Sequence, residues 1–428
     1  QLEKRGYKVK ICNSIQVDFW KALFYRPKVI MMVGARTTES LKSISPFLFK
    51  HTHVYINMQE EQIAYSGEGD LNLFIPTGYA KDVYHLTRGS FAHDYLKMGE
   101  VSDDHIVWMK PVQFDLCNKK LSDYYYPKEH LAEQYGLDIS KKWIMFASDF
   151  VITTLARDEE ELKDLCKRTY SVYDRTWHAE KDAQALIAEW FDRFLTDHKD
   201  YIIIYRPHPD ERIKHDFIDR LKEKHDNFHY IGDYSIKQWI GVIDVFITWF
   251  STSVMESYYA DVPCFALGNG AELEKKGIAI PLFDKDKYIM DYDVFEACMT
   301  ETEANREKYF PLDMSMIERY YGKYDYEFAS VKIADYVDSI LKDKKKYDSM
   351  KIRLPFKEKF FDTSYRRNFI KTSVYNDLFM FLRPVLWYII PWKRNSILKF
   401  SDELKRFDKK RLRETERKLY RILDKAGL

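Results

Sequence analysis

The chain is poor in cysteine, in net charge and in long apolar runs, and each shortage excludes a class of protein. Its 428 residues include 5 cysteines, none in C-x-x-C spacing, so we expect neither a zinc site nor a disulfide framework. The formal net charge of +1 argues against a nucleic-acid-binding protein steered by its overall field. No run reaches the roughly 18 apolar residues that a transmembrane helix needs, so we expect no membrane-spanning segment.

What the chain does contain is typical of a water-soluble globular protein. Hydrophobic residues make up 46% and charged residues 32% of the sequence, a balance that disordered chains do not show. A length of 428 residues is large for a single core and predicts more than one domain. The sequence begins at Gln1 without Met, and residues 1–12 read as a helix end followed by a strand. We therefore expect a further strand and helix before Gln1.

Short apolar runs alternate with amphipathic stretches along most of the chain. In the first half we predict strands at 9–12, 29–33, 54–58, 71–76 and 106–109, with a helix at 90–99. In the second half we predict strands at 143–146, 201–205, 229–231, 245–249 and 264–267, with helices between them. Such alternation predicts parallel, doubly wound sheets. The expected fold class is α/β with two Rossmann-like domains and a C-terminal helical extension.

The stretch 201–268 carries the strongest functional signal. A continuous apolar strand, YIIIY, ends in Arg206-Pro207-His208-Pro209, and a second strand, VFIT, leads into Ser251-Thr252-Ser253. Ligands of open α/β sheets bind beyond the carboxyl ends of the strands. Cationic and hydroxyl side chains at two such ends, with helix N-termini behind them, are suited to a phosphate group. We therefore predict a nucleotide or sugar-nucleotide site here.

These side chains have possible roles in binding the nucleotide, and some of them have a purely structural alternative. The prolines that flank His208 fix its turn and leave the imidazole free to donate to a leaving phosphate, which Arg206 would neutralise. Arg206 could instead pair with Asp210 or Glu211. The hydroxyls of 251–253 would bind the phosphate or only cap a helix. Glu256 lies about one turn later and is placed to accept a hydrogen bond from a ribose hydroxyl.

These motifs, in this order, resemble those of bacterial surface-carbohydrate glycosyltransferases of the GT-B class. The resemblance is carried by RPHP, by Gly232-Asp233, and by the strand that runs into S-T-S-x-x-E and D-V-P. Sialyltransferases and Kdo transferases, which use CMP-activated acidic sugars, share a His-Pro and a Ser/Thr-Ser motif that bind CMP. The first would be His208-Pro209 and the second Ser251-Thr252-Ser253. The Asp/Glu-Asp/Glu-Gly motif of sialyltransferases is absent in that form, which favours Kdo.

The resemblance implies two Rossmann-like domains that face each other across a cleft. On this basis the acceptor domain would span 1–125, the nucleotide-sugar domain 126–345, and crossover helices with a basic tail 346–428. The activity would be transfer of Kdo from a CMP donor to a growing surface polysaccharide or a lipid-linked glycan. The product would be a capsule or the O-antigen of a lipopolysaccharide. No cofactor and no nucleic-acid partner is expected.

Two alternatives remain open. Teichoic-acid-type polymerases, which transfer polyol phosphate from a CDP donor, share the C-terminal pattern but carry a Trp-His-Gly-Thr-Pro element that this sequence lacks. That lack favours a CMP-sugar donor. The third possibility is a non-catalytic scaffold in a polysaccharide assembly complex.

The residues that make the new bond are carboxylates, because the acceptor hydroxyl must lose a proton. For an inverting enzyme the candidates are Glu60 and Glu61, after the strand at 54–58. For a retaining enzyme the candidate is Asp233, which could also cap a helix. Further candidates are Asp149, Asp158, Glu159 and Glu160. The acidic run 158–161 also fits an exposed helix N-terminus.

Two expectations concern metal ions and membranes. Asp-x-Asp pairs occur at 284–286 and 291–293, but in charged loop-like sequence, and no His/Cys cluster is present, so we predict a metal-independent enzyme. Residues 376–392 are apolar and aromatic, and residues 393–428 carry 13 Lys/Arg against 6 Asp/Glu. This pattern fits either a segment that lies in a membrane interface or a C-terminal helix that packs onto the N-terminal domain. The expected location is the cytoplasm, at the inner face of the bacterial inner membrane.

Overall fold

The structure, a computed structural model, describes residues 1–11, 26–38, 40–41, 53–59, 75–167, 172–211, 213–323, 327–352 and 409–427. By its internal contacts the chain divides into two compact units. The described residues before 112 and after 326 belong to unit 1, and those from 112 to 326 belong to unit 2. The sequence-based domain boundaries, near 125 and 345, stay a prediction.

The described residues contain nine strands and fifteen α-helices. The strands are β1 Val29–Met32, β2 Val54–Asn57, β3 Tyr84–Thr87, β4 Ile106–Trp108, β5 Lys142–Ala147, β6 Tyr201–Arg206, β7 Phe228–Tyr230, β8 Val245–Thr248 and β9 Cys264–Ala266. The helices are α1 Ser90–Met98, α2 Lys128–Tyr135, α3 Ile152–Leu155, α4 Glu159–Cys166, α5 Val172–Asp197, α6 Asp216–Lys224, α7 Ile236–Ile240, α8 Val254–Ala260, α9 Gly270–Lys275, α10 Tyr292–Thr300, α11 Thr302–Asn305, α12 Met314–Tyr321, α13 Ala329–Lys342, α14 Lys344–Met350 and α15 Lys409–Lys425.

Unit 1 is built on a four-stranded parallel sheet in the order β1-β2-β3-β4. Every residue of β2 and β3 is buried, as expected for a parallel sheet covered on both faces. Three polar residues lie among them: Asn57, His85 and Thr87. The Asn57 Nδ2 and His85 Nδ1 atoms are 3.0 Å apart. His85 Nε2 donates to the Ala80 carbonyl at 2.8 Å. These hydrogen bonds offset the cost of burying polar groups in the sheet.

Unit 2 is built on a five-stranded parallel sheet in the order β7-β6-β5-β8-β9. The first strand, β5, is central; β6 and β7 follow on one side, and β8 and β9 on the other. This is the Rossmann-like order, in which the direction of winding reverses between β5 and β8. Large aromatic side chains fill the core around the sheet, with Trp143, Phe146 and Phe246 fully buried.

The fold class predicted from the sequence is confirmed: both units are parallel α/β. In unit 2 all five strands lie where they were predicted, within one or two residues. In unit 1 the strand predicted at 9–12 is wrong for the described residues 9–11, which have no regular structure. Strand β3 was missed, and most of the strand predicted at 71–76 lies outside the described residues.

The C-terminal helical extension is present as α15, which belongs to unit 1. Tyr420 OH donates to Glu3 at 2.5 Å, and Lys4 pairs with Asp424 at 2.5 Å. Residues 376–408, which include the apolar segment, lie outside the described residues. None of the helices in the described ranges combines the length and the apolar character that crossing a membrane requires.

Candidate functional site

The candidate site lies in unit 2, where β5, β6 and β8 end. In the sheet register, Ala147 of β5 pairs with Arg206 of β6 on one side and with Thr248 of β8 on the other. Asp149 and His208 each lie two residues beyond such a paired residue, on neighbouring strands. The winding of the sheet reverses between β5 and β8, and ligands of doubly wound sheets bind at this switch point. The fold therefore brings the segments after these strands to one edge.

Glu211 organises the turn that follows β6. Its side chain is 1% exposed, and its Oε1 accepts from the Ser148 hydroxyl, from Phe150 N at 2.9 Å and from His208 N at 3.2 Å. Burial raises the pKa of Glu211, while the hydrogen bond from Ser148 is the strongest opposing effect. One buried carboxyl thus ties the segment after β5 to the turn that carries His208.

His208 presents one free ring nitrogen. Its Nδ1 accepts from the backbone N–H of Asp210 at 3.2 Å, so the neutral ring carries its proton on Nε2. Nε2 has no hydrogen-bond partner among the described residues. Burial lowers the pKa of His208, although the nearby Asp210 opposes this shift. The side chain is therefore a neutral N–H donor at pH 7, aligned by its own turn.

Asp149 is the most unusual titratable group of the site. No described residue makes a hydrogen bond with its carboxyl. Burial raises the pKa of Asp149 to about 7, with further contributions from the charges of Glu211 and Asp210. A carboxyl that titrates near neutral pH can act as an acid, a base or a hydrogen-bond donor, which is why perturbed groups of this kind concentrate at functional sites.

The Arg206 side chain contacts the loop that contains Asp233 through backbone carbonyl groups of that loop. The Arg206 guanidinium donates to the carbonyls of Gly232 at 3.1 Å, Asp233 at 3.3 Å and Tyr234 at 2.7 Å. An ion pair with Asp210 or Glu211, the alternative that the sequence left open for Arg206, is not among these contacts. The Asp233 carboxylate is exposed and accepts from Tyr135 OH at 3.1 Å. The residue that precedes α7 is Ser235, so Asp233 is not its N-cap.

The three hydroxyl residues after β8, Ser251, Thr252 and Ser253, differ in whether their side chains make hydrogen bonds. Ser251 is buried, and its Oγ accepts from Ser253 N at 3.3 Å. Ser253 is the N-cap of α8 but makes no side-chain cap bond. Among the described residues, the hydroxyls of Thr252 and Ser253 have no partner, so both are available to a ligand. Glu256 pairs with Lys237 at 2.7 Å, and that contact competes with the predicted bond to a ribose.

The positions of the remaining predicted carboxylates do not indicate a catalytic role. Asp158 is the N-cap of α4, and its side chain accepts from the backbone of Glu160 and Glu161. Glu159 is exposed in the first turn of that helix, as the simpler interpretation of the acidic run expected. Glu60 and Glu61 lie outside the described residues.

Sequence reasoning missed the supporting residues of the site. Ser148 and Glu211 link the ends of β5 and β6, and Glu180 on α5 holds the start of α3 by accepting from Thr153 N at 2.7 Å and Ile152 N at 3.0 Å. Burial raises the pKa of Glu180 to about 8. One signal was present: Ser148 and Asp149 are polar residues directly after a strand whose last five residues are apolar and buried, the first strand of a doubly wound unit. Glu180 sits in a long amphipathic helix, where nothing distinguishes it.

Comparison with solved structures returns distant similarities. S. aureus MnaA with UDP is 12% identical over 78% of this chain and 82% of its own, with a TM-score of 0.43. A UDP-N-acetylglucosamine 2-epimerase is 13% identical over 75% of both chains, with a TM-score of 0.45. The wall teichoic acid polymerase TagF is 13% identical over 70% of this chain and 71% of its own, with a TM-score of 0.45.

No family model and no curated protein matches the sequence. At these identities and TM-scores the similarity to solved structures assigns no activity to this chain. Its function is therefore argued from the residues of the candidate site.

Proposed function

We propose that the chain is a glycosyltransferase that moves a sugar from a nucleotide-activated donor to a glycan or lipid-linked acceptor. The observation that supports this most is the edge of the unit 2 sheet, where Asp149 and His208 follow neighbouring central strands and free hydroxyls follow β8. These groups suit a leaving phosphate: the acceptor oxygen bonds to the anomeric carbon, and the bond from that carbon to the phosphate oxygen breaks.

His208 binds the leaving phosphate in this proposal. Its free Nε2–H points away from the turn bond at Nδ1, and a neutral donor stabilises phosphate charge without a change of protonation. Thr252 and Ser253 add hydroxyl donors, and Ser251 shapes the loop that presents them. Arg206 acts by holding the 232–234 loop through its carbonyls rather than by touching the phosphate.

Asp149 acts as a hydrogen-bond donor in its protonated form. A carboxylate would repel a phosphate, whereas a neutral carboxyl can donate to one of its oxygens, and burial keeps a fraction of Asp149 protonated at pH 7. Donor affinity should then fall as pH rises through about 7.

The residue that accepts the proton of the acceptor hydroxyl is proposed from the sequence alone. The candidates are Glu60, Glu61, Asp233 and Glu159, and Glu256 remains the candidate for the ribose. Within the class of donors, the resemblance of the motifs favours CMP-activated Kdo, used without a metal ion. The proposed location is the cytoplasm, at the inner face of the bacterial inner membrane.

The test is a product analysis with two labelled donors. The full chain is incubated with CMP-Kdo and with CDP-glycerol in the presence of a polysaccharide acceptor extract. We expect release of CMP and transfer of the sugar without phosphate, and loss of most activity in His208→Ala. Phosphate in the product linkage would identify a CDP-polyol phosphotransferase instead. If a His208→Ala/Asp233→Ala variant supported normal polymer synthesis in cells, the chain would be a non-catalytic scaffold.

A further inference from the structure

A second candidate site is a pocket of about 370 Å³ on the helical side of unit 2. Its lining includes one face of α5, where Lys181, Gln184, Ala185 and Ala188 recur at helical spacing. The two alanines leave the space that larger side chains would fill. The rest of the wall comes from Thr153 of α3, from Arg157 and from residues 213–220 around the start of α6. Neither His208 nor the 251–253 hydroxyls line this pocket.

The charge of the pocket is strongly positive. It is lined by four cationic side chains, Arg157, Lys181, Lys214 and Arg220, against one carboxylate, Asp216. Lys214 pairs with Asp219, outside the lining, and the Lys181 ammonium lies 5.2 Å from the Trp177 ring. Within the described part of the chain, the guanidinium groups of Arg157 and Arg220 have no ion-pair partner. Two unpaired guanidiniums in one lining offer donor groups that phosphate oxygens accept well.

A histidine whose side chain is largely enclosed adds a polar group to the same pocket. The His215 side chain is 9% exposed, and its Nε2 makes no hydrogen bond among the described residues. The nearest carboxylate oxygen, Glu211 Oε2, is 3.9 Å away, which is too long for a hydrogen bond. Burial and the neighbouring Lys181 lower the pKa of His215 to about 4, against the opposing effect of the Phe150 backbone. His215 is therefore neutral at pH 7.

We propose that this pocket is a binding site for a phosphate ester, separate from the candidate site at the strand ends. Arg157 and Arg220 would hold the phosphate group, with Lys181 and Lys214 adding positive charge. The apolar wall formed by Ala185 and Ala188 would take the organic part of the ester, because the volume exceeds that of a phosphate ion alone. This inference does not rest on the proposed transferase activity.

The test is calorimetric titration of the full chain with glucose 1-phosphate and with inorganic phosphate at constant ionic strength. We expect one saturable site for the ester, with weaker binding of free phosphate. Arg157→Ala and Arg220→Ala should each weaken ester binding by about tenfold, the effect of losing a charge-assisted contact. Ala188→Leu should reduce binding of the ester more than that of free phosphate.

Two control variants make the result decisive. Lys222→Ala removes an exposed charge from α6 outside the pocket and should leave ester binding unchanged. His208→Ala should also leave it unchanged, because His208 belongs to the strand-end site. The proposal is overturned if the wild type shows no saturable ester binding, if Lys222→Ala weakens it as much as Arg220→Ala, or if His208→Ala abolishes it. Circular dichroism of each variant confirms that it is folded.

Discussion

At the scale of single residues, Asp149 differs from an ordinary surface carboxyl, because it is half-buried and its pKa is raised to about 7. Its raised pKa means that the folded state holds a proton that the unfolded state releases between about pH 4 and pH 7. The native state binds more protons in this window, so rising pH lowers the contribution of Asp149 to stability. A group that costs stability at working pH is expected where binding or catalysis requires it.

The first prediction is that Asp149→Asn stabilises the protein at pH 8 but not at pH 4. Asn has nearly the same shape and no ionisable proton, and the carboxyl that it replaces has no hydrogen bond among the described residues. We expect a gain on the order of 1 kcal/mol at pH 8, measured as a rise in Tm of about 2–4 °C for a unit of this size.

The pH dependence of Tm in the same variant separates the contribution of Asp149 from that of other titratable groups. Glu180 also has a raised pKa, so the wild type and Asp149→Asn should both lose Tm as pH rises, but the variant by less. An unchanged or lower Tm for Asp149→Asn at pH 8 would contradict the half-buried, unpartnered state of this carboxyl.

At the same scale, some features of the candidate site could be predicted from the sequence and others could not. The turn that presents His208 and the hydroxyls of 252–253 were predicted, because prolines and hydroxyls after apolar strands are local signals. The contacts of Arg206 could not be predicted. The sequence around an arginine before a proline turn is the same whether its side chain binds a ligand or, as here, three backbone carbonyls. Glu211 was expected only as an ion-pair partner, yet it accepts from the segments after two strands.

At the scale of elements, α15 has two different sides. Tyr420 and Asp424 contact the N-terminal residues of the chain, and Ile422 is buried. Arg413, Arg417 and Arg421 are exposed and recur every fourth residue, so they form one stripe along the helix. Tyr420 and Asp424 lie beside this stripe, because they are three and seven residues beyond Arg417, whereas Ile422 lies on the opposite side of the helix. We propose that the three arginines attract an anionic membrane surface while the side that carries Ile422 stays packed.

The second prediction is that replacing this stripe weakens membrane binding. Each arginine near an anionic surface contributes about 1 kcal/mol, so the triple variant Arg413→Gln/Arg417→Gln/Arg421→Gln should bind phosphatidylserine vesicles about 100-fold more weakly. Vesicle co-sedimentation at low salt measures the effect.

The control is a variant with the same loss of charge elsewhere. Lys163→Gln/Lys344→Gln/Lys345→Gln removes three exposed positive charges from α4 and α14 and should bind vesicles as the wild type does. Equal weakening in both variants would show that only net charge matters, and no weakening in the stripe variant would contradict the proposal.

The elements themselves were predicted well in unit 2 and less well in unit 1. In unit 2, the strands β5, β6 and β8 each contain at least three consecutive apolar residues, which their sequence reveals directly. Strand β3 contains His85 and Thr87, which are fully buried. Polar residues in a buried strand are tolerated because tertiary hydrogen bonds satisfy them, such as that from His85 to Ala80. Such bonds are invisible in a local pattern.

At the scale of the whole molecule, the chain leaves unit 1 and later returns to it. Residues 327–352 and α15 belong to unit 1, together with the residues before 112. Hydrophobic periodicity describes each helix but not its partners, so the sequence left two alternatives open for the C-terminal region, a membrane-interface segment or a helix that packs onto the N-terminal domain. The contacts of Tyr7 with Asp338 at 2.6 Å and of Lys4 with Asp424 show the return directly.

In our proposal, the edge of the unit 2 sheet binds the phosphate of a nucleotide donor through His208. Calorimetric titration of the full chain with CMP measures this binding. We predict saturable CMP binding that is tighter than UDP binding. His208→Ala should weaken it about tenfold, as expected for loss of a hydrogen bond to a charged group, whereas Lys222→Ala, which removes an exposed charge, should leave it unchanged. Equal CMP affinity in the wild type and His208→Ala would contradict the account.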